Sequence, residues 1–361
     1  MPLDLFKVPA DQAVYVDIAS LRETTQAVFE QMGVPSEDAA LATDVMVMAD
    51  MRGVDSHGVS NMLRSYVTGY QEGRHNPRPE WKVVRERAST ATIDSDRGLG
   101  IIVAPKAMEL AIEKAKQTGI GVVAIRNGGH MGMASYHAML ALEHDMIGVA
   151  MTAVGTAVVP TFGAVGRLGT NPIAVAAPAK KMHPFVLDIA TSMVASNKLG
   201  LARRLSASLP AGMVADAEGA IVDTAGPLPE GYQNIPFGGT RELGSHKGYG
   251  MAMVVEILCT ILSGGIPMTL PDAGRQATHH LAAYDIDAFT DVEQFKELMD
   301  QWLEYMEATP TAPGQERVLT PGLEEEEAEA QRRERGIPLH TEVVDWFEAT
   351  CREFEIPFSL R

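Results

Sequence analysis

The stretch Gly119-Ile120-Gly121-Val122-Val123-Ala124 decides the fold class of this chain. It matches the G-x-G-x-x-A fingerprint of dinucleotide-binding proteins, which must follow a strand and open a helix so that the helix N-terminus meets the pyrophosphate. Here the order is reversed, because a helical pattern over 104–117 precedes the stretch and an apolar run over 121–126 follows it. We therefore interpret Gly119 as the end of a helix and 121–126 as a buried strand, which excludes the usual Rossmann turn at this place.

Around this stretch, short apolar runs alternate with helical patterns, as is typical of a mixed α/β architecture. The predicted strands are 90–94, 121–126, 147–152, 172–178 and 185–189. The predicted helices of this middle part are 104–117, 132–144, 192–205 and 247–263.

Both ends of the chain have helical patterns instead. The predicted helices are 17–32, 36–51 and 60–72 at one end, and 291–308, 323–335 and 341–355 at the other. A polar, proline-containing connection over 73–79 predicts a domain boundary, and the tail beyond about 267 is predicted to be helical and charged. The acidic-then-basic order of 323–335 suits a helix dipole and predicts a solvated helix.

The composition narrows the classes of function. A formal net charge of −17 over 361 residues argues against binding of nucleic acid or of an anionic membrane surface, since both need clustered Lys and Arg. It does not exclude a small acidic substrate, which needs only one or two local cations. The two cysteines, Cys259 and Cys351, have no C-x-x-C partner, so neither a zinc cluster nor a disulfide framework is expected. With neither a signal peptide nor a membrane span in its pattern, the chain is predicted to be cytoplasmic.

A polar run at the end of the second predicted helix, Asp55-Ser56-His57-Gly58, is the first candidate for chemistry. A loop histidine with a nearby hydroxyl and carboxylate has the ingredients of a proton donor at neutral pH. A merely solvated loop histidine is the alternative.

The second candidate is Asn127-Gly128-Gly129-His130-Met131-Gly132, between a predicted strand and a predicted helix. Its glycines would let a ligand approach the backbone closely, and His130 would project at the carboxyl end of the strand, where open α/β sheets bind ligands. The alternative is a helix-capping loop with a solvated histidine.

Two further stretches fit a cofactor. The strand 185–189 carries Asp188 and is followed by Ala190-Thr191-Ser192, which could hold ribose hydroxyls or phosphate oxygens, or could simply cap a helix at Ser192. His246 and Lys247 lie at the start of the long apolar helix, where a lysine opposes the helix dipole unless an anion is bound.

These four stretches, in this order and spacing, resemble the malate/L-lactate dehydrogenase family, and residues 236–239, 262–265 and 321–322 extend the likeness over most of the chain. The resemblance implies a homodimer with a non-Rossmann, mixed-sheet NAD(P)-binding domain over 76–267. A helical domain built from 1–75 and 268–361 would lie beside it. It also implies hydride transfer between NAD or NADP and a small 2-hydroxy or 2-oxo acid such as malate, lactate or sulfolactate.

The same resemblance suggests roles for single residues. His57 or His130 would be the acid or base, with Ser56 or Asp55 orienting the histidine. Cofactor contacts would fall on Thr152, Asp188, Ala190, Thr191, Ser192, His246, Lys247, Pro321 and Gly322. Many members have an arginine where this chain has Asn61, so Asn61 or Arg64 is expected to position the acidic group of the substrate.

Three alternatives remain open on the sequence. The substrate could be a cyclic imino acid with a C=N bond, or the chain could be a non-catalytic member that binds a metabolite. Metal-dependent lyase chemistry is less favoured, because no histidines have H-x-x-x-H or H-E-x-x-H spacing, and no metal is predicted.

Overall fold

The computed structural model describes residues 4–274 and 276–361. Residues 1–3, which the predicted helical domain includes, lie outside the described residues. The helices are α1 (Ile18–Gln31), α2 (Ser36–Met51), α3 (Val59–Gln71), α4 (Gly100–Thr118), α5 (Ala134–Met139), α6 (Ser196–Arg204), α7 (Ser245–Val255), α8 (Val292–Glu307), α9 (Leu323–Arg335) and α10 (Thr341–Glu353). The strands are β1 (Ala13–Val16), β2 (Lys82–Glu86), β3 (Thr90–Asp94), β4 (Ile120–Gly128), β5 (Met146–Ala153), β6 (Ile173–Ala177), β7 (Phe185–Ile189), β8 (Val214–Ala215), β9 (Gln233–Asn234), β10 (Ala277–Asp285) and β11 (Ile337–His340).

The centre of the fold is a seven-stranded sheet in the order β2-β3-β4-β10-β5-β6-β7. Only the β3–β4 pair is parallel within it, and the other pairs are antiparallel. The mixed α/β fold predicted from the sequence is therefore confirmed.

The glycine stretch has the structure that its reversed order predicted. Gly119 ends α4 with a left-handed φ of 82°, and β4 begins at the next residue. A Cβ on Gly121 would lie 1.8 Å from the carbonyl oxygen of Ala111 in α4. The second glycine thus allows the strand to pass directly beneath the helix, and it has no role in a phosphate-binding turn.

The prediction that the tail beyond 267 is helical was wrong for β10, which lies between β4 and β5 in the middle of the sheet. The strand pattern was hidden because Thr278, His279 and His280 are polar in composition yet buried. The sheet therefore extends past the predicted domain boundary at 267, while the division into two domains stays a prediction.

Two hydrophobic clusters flank the site described below. One joins α1, α2, α3, β1, β11 and α10, and the other packs α4 and α5 on the sheet. Residues from the start of α4 also enter the first cluster, so the helical part and the sheet share packed contacts. In the part of the chain that the structure describes, no helix has the length and apolar character needed to cross a membrane.

Candidate active site

The loop between α2 and α3 presents the first motif, and a buried carboxylate holds its shape. Asp50, fully buried near the end of α2, accepts a hydrogen bond of 2.8 Å from the backbone N–H of Val59. A Cβ on Gly58 would lie 1.8 Å from Asp50 Oδ1, so only glycine fits there. The motif glycine is thus needed to bring the loop against α2, which orients Ser56 and His57.

His57 and His130 lie face to face, although 73 positions separate them in the sequence. Their ring centroids are 5.6 Å apart and the ring planes differ by 14°. His57 comes from the loop before α3, and His130 comes from the glycine loop after β4. The two histidines that the motifs singled out therefore form one site.

Hydrogen bonds determine the protonation state of His130. The backbone N–H of Gly132 donates to His130 Nδ1 at 3.1 Å, so this nitrogen carries no hydrogen. Tyr66 of α3 donates its hydroxyl to the same atom at 2.7 Å, and burial raises the pKa of Tyr66, which keeps the donor proton in place. His130 is therefore neutral with its hydrogen on Nε2. Burial and the neighbouring His57 lower the pKa of His130 to about 3.

His57 has a more adaptable partner. Its Nδ1 lies 2.9 Å from Ser56 Oγ, a hydroxyl that can either donate or accept. Burial, followed by the positive charge of Lys198, lowers the pKa of His57 to about 4. Both rings are neutral at neutral pH until a ligand changes their surroundings.

Asp55 forms its side-chain hydrogen bonds with Arg332 and none with His57. Its carboxylate accepts hydrogen bonds from the two terminal guanidinium nitrogens of Arg332 in α9. Arg332 also donates to the backbone carbonyl of Asp50. Arg52 makes the reciprocal contacts, with Glu326 and Glu329 of the same helix. Helix α9, predicted as a solvated helix, is thus the clamp that holds the motif loop.

The two residues expected to bind the substrate's acidic group are used elsewhere. Asn61 donates its side-chain amide to the backbone carbonyl of Asp55 at 2.7 Å. Arg64 pairs with Glu342 at 2.9 Å and lies over the ring of Trp346 in α10. Arg64 precedes Tyr66 by two positions, or about 200° around the helix, so it points away from the histidine pair.

Three of the predicted cofactor residues, Asp188, Pro321 and Gly322, lie at the β7 edge of the sheet. Asp188, exposed at the end of β7, accepts a 2.7 Å hydrogen bond from the backbone N–H of Ser135 through Oδ2. Surrounding protein atoms raise the pKa of Asp188, and this hydrogen bond opposes the rise. Pro321 accepts from the backbone N–H of Val186 at 3.1 Å, which places Pro321 and Gly322 beside the same strand.

The segment after β7 is not a helix cap, because α6 begins only at Ser196. Thr191 donates to the carbonyls of Thr170 and Asn171, and Ser192 donates to the carbonyl of Val194. These hydroxyls therefore bind the chain itself, whereas Asp188 is exposed and Ala190 is half-buried.

Thr152 is also committed within the protein. It is buried, and its hydroxyl lies 2.8 Å from Nδ1 of His279 in β10. His279 Nε2 lies 3.1 Å from the carbonyl of Gly129, which can only accept, so this nitrogen carries the hydrogen. Thr152 and His279 thus support the backbone next to His130 from inside the sheet.

His246 and Lys247 lie in the first turn of α7, as predicted, and both are exposed. His246 Nδ1 is 2.9 Å from a guanidinium nitrogen of Arg241. Arg241 and Ser245 line a cavity of about 240 Å³. Glu218 and Glu242 also line this opening, so the cation of Arg241 lies among acidic side chains there. His246 and Lys247 lie beside it on the first turn of α7, where the helix N-terminus favours anions.

A model of the malate/L-lactate dehydrogenase family matches residues 16–348. The chain belongs to this family.

Named relatives agree with this family assignment. The malate dehydrogenase of Pyrococcus horikoshii is 42% identical over 323 residues, covering 88% of this chain and 89% of its own. The solved structure of the sulfolactate dehydrogenase from Methanocaldococcus jannaschii has a TM-score of 0.86 and 35% identity, over 95% of this chain and 98% of that one. The Δ1-piperideine-2-carboxylate reductase of Pseudomonas syringae pvar. tomato has a TM-score of 0.79 and 26% identity, over 93% and 99%.

Because the relatives are dehydrogenases of hydroxy acids, this member of the malate/L-lactate dehydrogenase family is an oxidoreductase. The alternative of a non-catalytic binding protein is therefore not retained. Among the described residues, no three His, Cys, Asp or Glu side chains are grouped so that they could hold a metal ion.

Sequence reasoning missed three residues of this family member's site. Tyr66 could have been found, since it lies nine positions after His57 on the apolar face of α3. Lys198 and His279 could not, because only the tertiary fold brings α6 and β10 next to the two motif loops.

Proposed function

We propose that the protein transfers a hydride between NAD or NADP and a small 2-hydroxy or 2-oxo acid such as malate, lactate or sulfolactate. The observation that carries this proposal is the stacked His57–His130 pair, in which the two imidazoles have different hydrogen-bond partners. His57 can exchange a proton, and His130 can only donate a hydrogen bond from Nε2. Reduction of a carbonyl group needs both, a proton for its oxygen and a donor that polarises the C=O bond.

The residues at the sheet edge fit a nicotinamide dinucleotide. Asp188 offers an outward carboxylate to ribose hydroxyls, and the basic first turn of α7 with Arg241 suits phosphate oxygens. Contacts between the two regions are direct: Phe237 N donates to Thr191 O at 2.8 Å, and a Cβ on Gly238 would lie 2.6 Å from Gly244 C. When bound, the cofactor would supply the hydride.

The protein itself would supply the proton that the reduction needs. We assign it to His57, because Ser56 Oγ can turn from donor to acceptor when Nδ1 gains a hydrogen, and because the negative charge of a bound substrate raises the pKa of a neighbouring histidine. Protonation of His130 at Nδ1 would instead break the hydrogen bonds from Gly132 and Tyr66. In the reduction direction, His57 gives its proton to the substrate oxygen while His130 Nε2–H polarises the carbonyl.

The test measures cofactor binding and turnover separately. Fluorescence titration of the wild type with NADH and with NADPH shows which of the two cofactors binds. Turnover is assayed with malate, lactate and sulfolactate. His57→Gln should lower kcat by about 10²- to 10⁴-fold, the usual worth of general acid–base catalysis, with cofactor affinity kept. His130→Gln should lower kcat by about 10- to 100-fold, because one hydrogen bond to the substrate is lost. His144→Gln, at an exposed position, is the control and should leave kcat unchanged.

Two results would contradict the proposal in different ways. Near-normal turnover of His57→Gln with intact cofactor binding would remove His57 from its role. Failure of the wild type to bind either NADH or NADPH would reject hydride transfer altogether.

The likeness to the Δ1-piperideine-2-carboxylate reductase favours a second candidate, reduction of a cyclic imino acid. That substrate also carries a carboxylate, but its C=N nitrogen takes the proton in place of an oxygen. Oxidation of NADPH by the wild type with Δ1-piperideine-2-carboxylate, compared with the 2-oxo acids, decides between the two.

The proposal includes a cytoplasmic homodimer. An apolar surface on α7 and the π-helical turn after it supports the dimer, because its five large side chains are 44–59% exposed: Met253, Val254, Ile257, Ile261 and Leu262. Such a patch on a protein surface is typical of an interface. Sedimentation velocity would show a mass of about twice 38.8 kDa if a second copy covers it.

A further inference from the structure

An acidic substrate needs a cation near the histidine pair, and most cations around the motif loop already have an acidic partner. Arg332 binds Asp55, and Arg52 binds Glu326 and Glu329. Arg64 pairs with Glu342 on the far side of α3. Asn61 and Arg64, the predicted carboxylate binders, therefore provide no free positive charge for the substrate.

Helix α6 supplies a different cation. Its second residue, Asn197, donates to the backbone carbonyl of Ser56 at 2.9 Å and lies 3.1 Å from Met62 Sδ, so the first turn of α6 is docked on the motif loop. Lys198 follows directly. Its ammonium lies 5.7 Å from the centre of the Phe6 ring, and among the described residues it forms no ion pair.

The charge of Lys198 acts on both the motif loop and the end of β7. It helps to lower the pKa of His57 on the motif loop and opposes the rise in the pKa of Asp188 at the end of β7. The ammonium therefore acts on the proposed proton donor and on the proposed cofactor residue alike, and the docking of Asn197 on Ser56 keeps its helix beside the motif loop. Lysine in the first turn of a helix also opposes the dipole, which a bound anion would relieve.

We propose that Lys198 is the residue that binds the carboxylate of the substrate and so selects 2-oxo or imino acids over neutral carbonyl compounds. This inference rests on the proposed function. Asn197 positions it through the contact with Ser56, and the Phe6 ring lies on one side of the ammonium. A hydrogen bond to a charged group is typically worth about a 10- to 100-fold change in affinity.

The experiment compares a charged probe with a neutral one. The wild-type enzyme saturated with NADH or NADPH is titrated with oxamate, which has a carboxylate, and with ethyl oxamate, which does not. Lys198→Met should weaken oxamate binding by about 10- to 100-fold and leave ethyl oxamate unchanged. Lys198→Arg should recover most of the oxamate affinity, and Lys198→Gln replaces the Met variant if that one does not fold.

The matched control is Arg203→Met. Arg203 lies on the same helix, is exposed and is also over an aromatic ring, that of Tyr232 at 5.9 Å. Arg203→Met should leave the affinities for oxamate and ethyl oxamate unchanged. Lys198→Met should keep the affinity for the cofactor within about threefold of the wild-type value.

The outcomes separate this inference from the proposed function. Unchanged oxamate affinity in Lys198→Met and Lys198→Gln would overturn the role of Lys198 while leaving hydride transfer intact. Equal losses for oxamate and ethyl oxamate, or a lost cofactor affinity, would also overturn it, because the lysine would then support the fold or the cofactor. If the wild type bound neither cofactor, the proposed function itself would fail.

Discussion

At the scale of single residues, the hydrogen-bond partner of Nδ1 decides whether each histidine can take up a proton. His57 and His130 are both half-buried and their ring centroids are 5.6 Å apart. Ser56 offers His57 an adaptable hydroxyl, whereas Gly132 offers His130 a backbone donor that cannot change. Two identical side chains thereby acquire different roles, which neither motif could reveal alone.

Tyr66→Phe tests the hydrogen bond to His130. It removes one of the two donors to Nδ1, so we expect a stability loss of about 1 kcal/mol and roughly a tenfold lower kcat/KM, because the ring is less firmly oriented. Tyr70→Phe is the matched control, since the buried Tyr70 hydroxyl has no hydrogen-bond partner among the described residues and its removal should cost nothing. Equal effects of the two variants on turnover would contradict the role of Tyr66.

At the scale of elements, α9 links the two halves of the site. Its N-terminal neighbour Pro321 is bonded to β7, and Arg332 near its other end is bonded to Asp55 of the motif loop. The acidic and basic ends that suggested a solvated helix are therefore partly used for tertiary contacts. A sequence pattern could predict this helix but could not predict which of its charges form ion pairs with the motif loop.

Arg332→Met tests this clamp. Arg332 and Asp55 are each 14% exposed, and removal of the arginine leaves Asp55 and buried Asp50 without their shared cation. We expect a loss of about 3 kcal/mol in stability, together with a lower kcat/KM, because breaking a largely buried pair leaves an uncompensated charge. Arg335→Met, an exposed position at the end of the same helix, should change neither thermal unfolding nor turnover. A stable, fully active Arg332→Met variant would show that the loop does not need the clamp.

At the scale of the whole molecule, four neutral histidines make stability depend on pH: His137 and His279 are fully buried, and His57 and His130 are half-buried. Burial is the main cause that lowers the pKa of His57 and His137 to about 4 and that of His130 and His279 to about 3. In the unfolded chain they titrate near 6.5, so between pH 6.5 and 4 the unfolded state binds protons that the folded state does not. Stability is therefore full above about pH 6.5 and falls as the pH decreases.

Denaturant unfolding at a series of pH values measures this dependence. Each such histidine adds about 1.4 kcal/mol per pH unit to the slope, so His279→Gln should reduce the slope by about that amount. His144→Gln, at an exposed position, should leave the slope unchanged. A flat stability profile between pH 6.5 and 5 would be incompatible with neutral histidines in the folded state.

The sequence by itself determined what depends on neighbouring positions. Gly119 predicted the end of α4 because glycine adopts a left-handed φ without strain, and alternating patterns predicted most of the sheet. The two histidine motifs were visible for the same reason, since their polar and glycine residues interrupt apolar runs.

Only the tertiary structure decided which distant side chains meet. It placed β10 in the middle of the sheet, stacked His57 on His130, turned Asp55 to Arg332 and brought Lys198 to the motif loop. Propensity and periodicity act over a few residues, whereas a proton's location depends on burial and on partners that can lie more than a hundred positions away. For that reason the motifs located the chemistry, and the packing between helices and sheet assigned its roles.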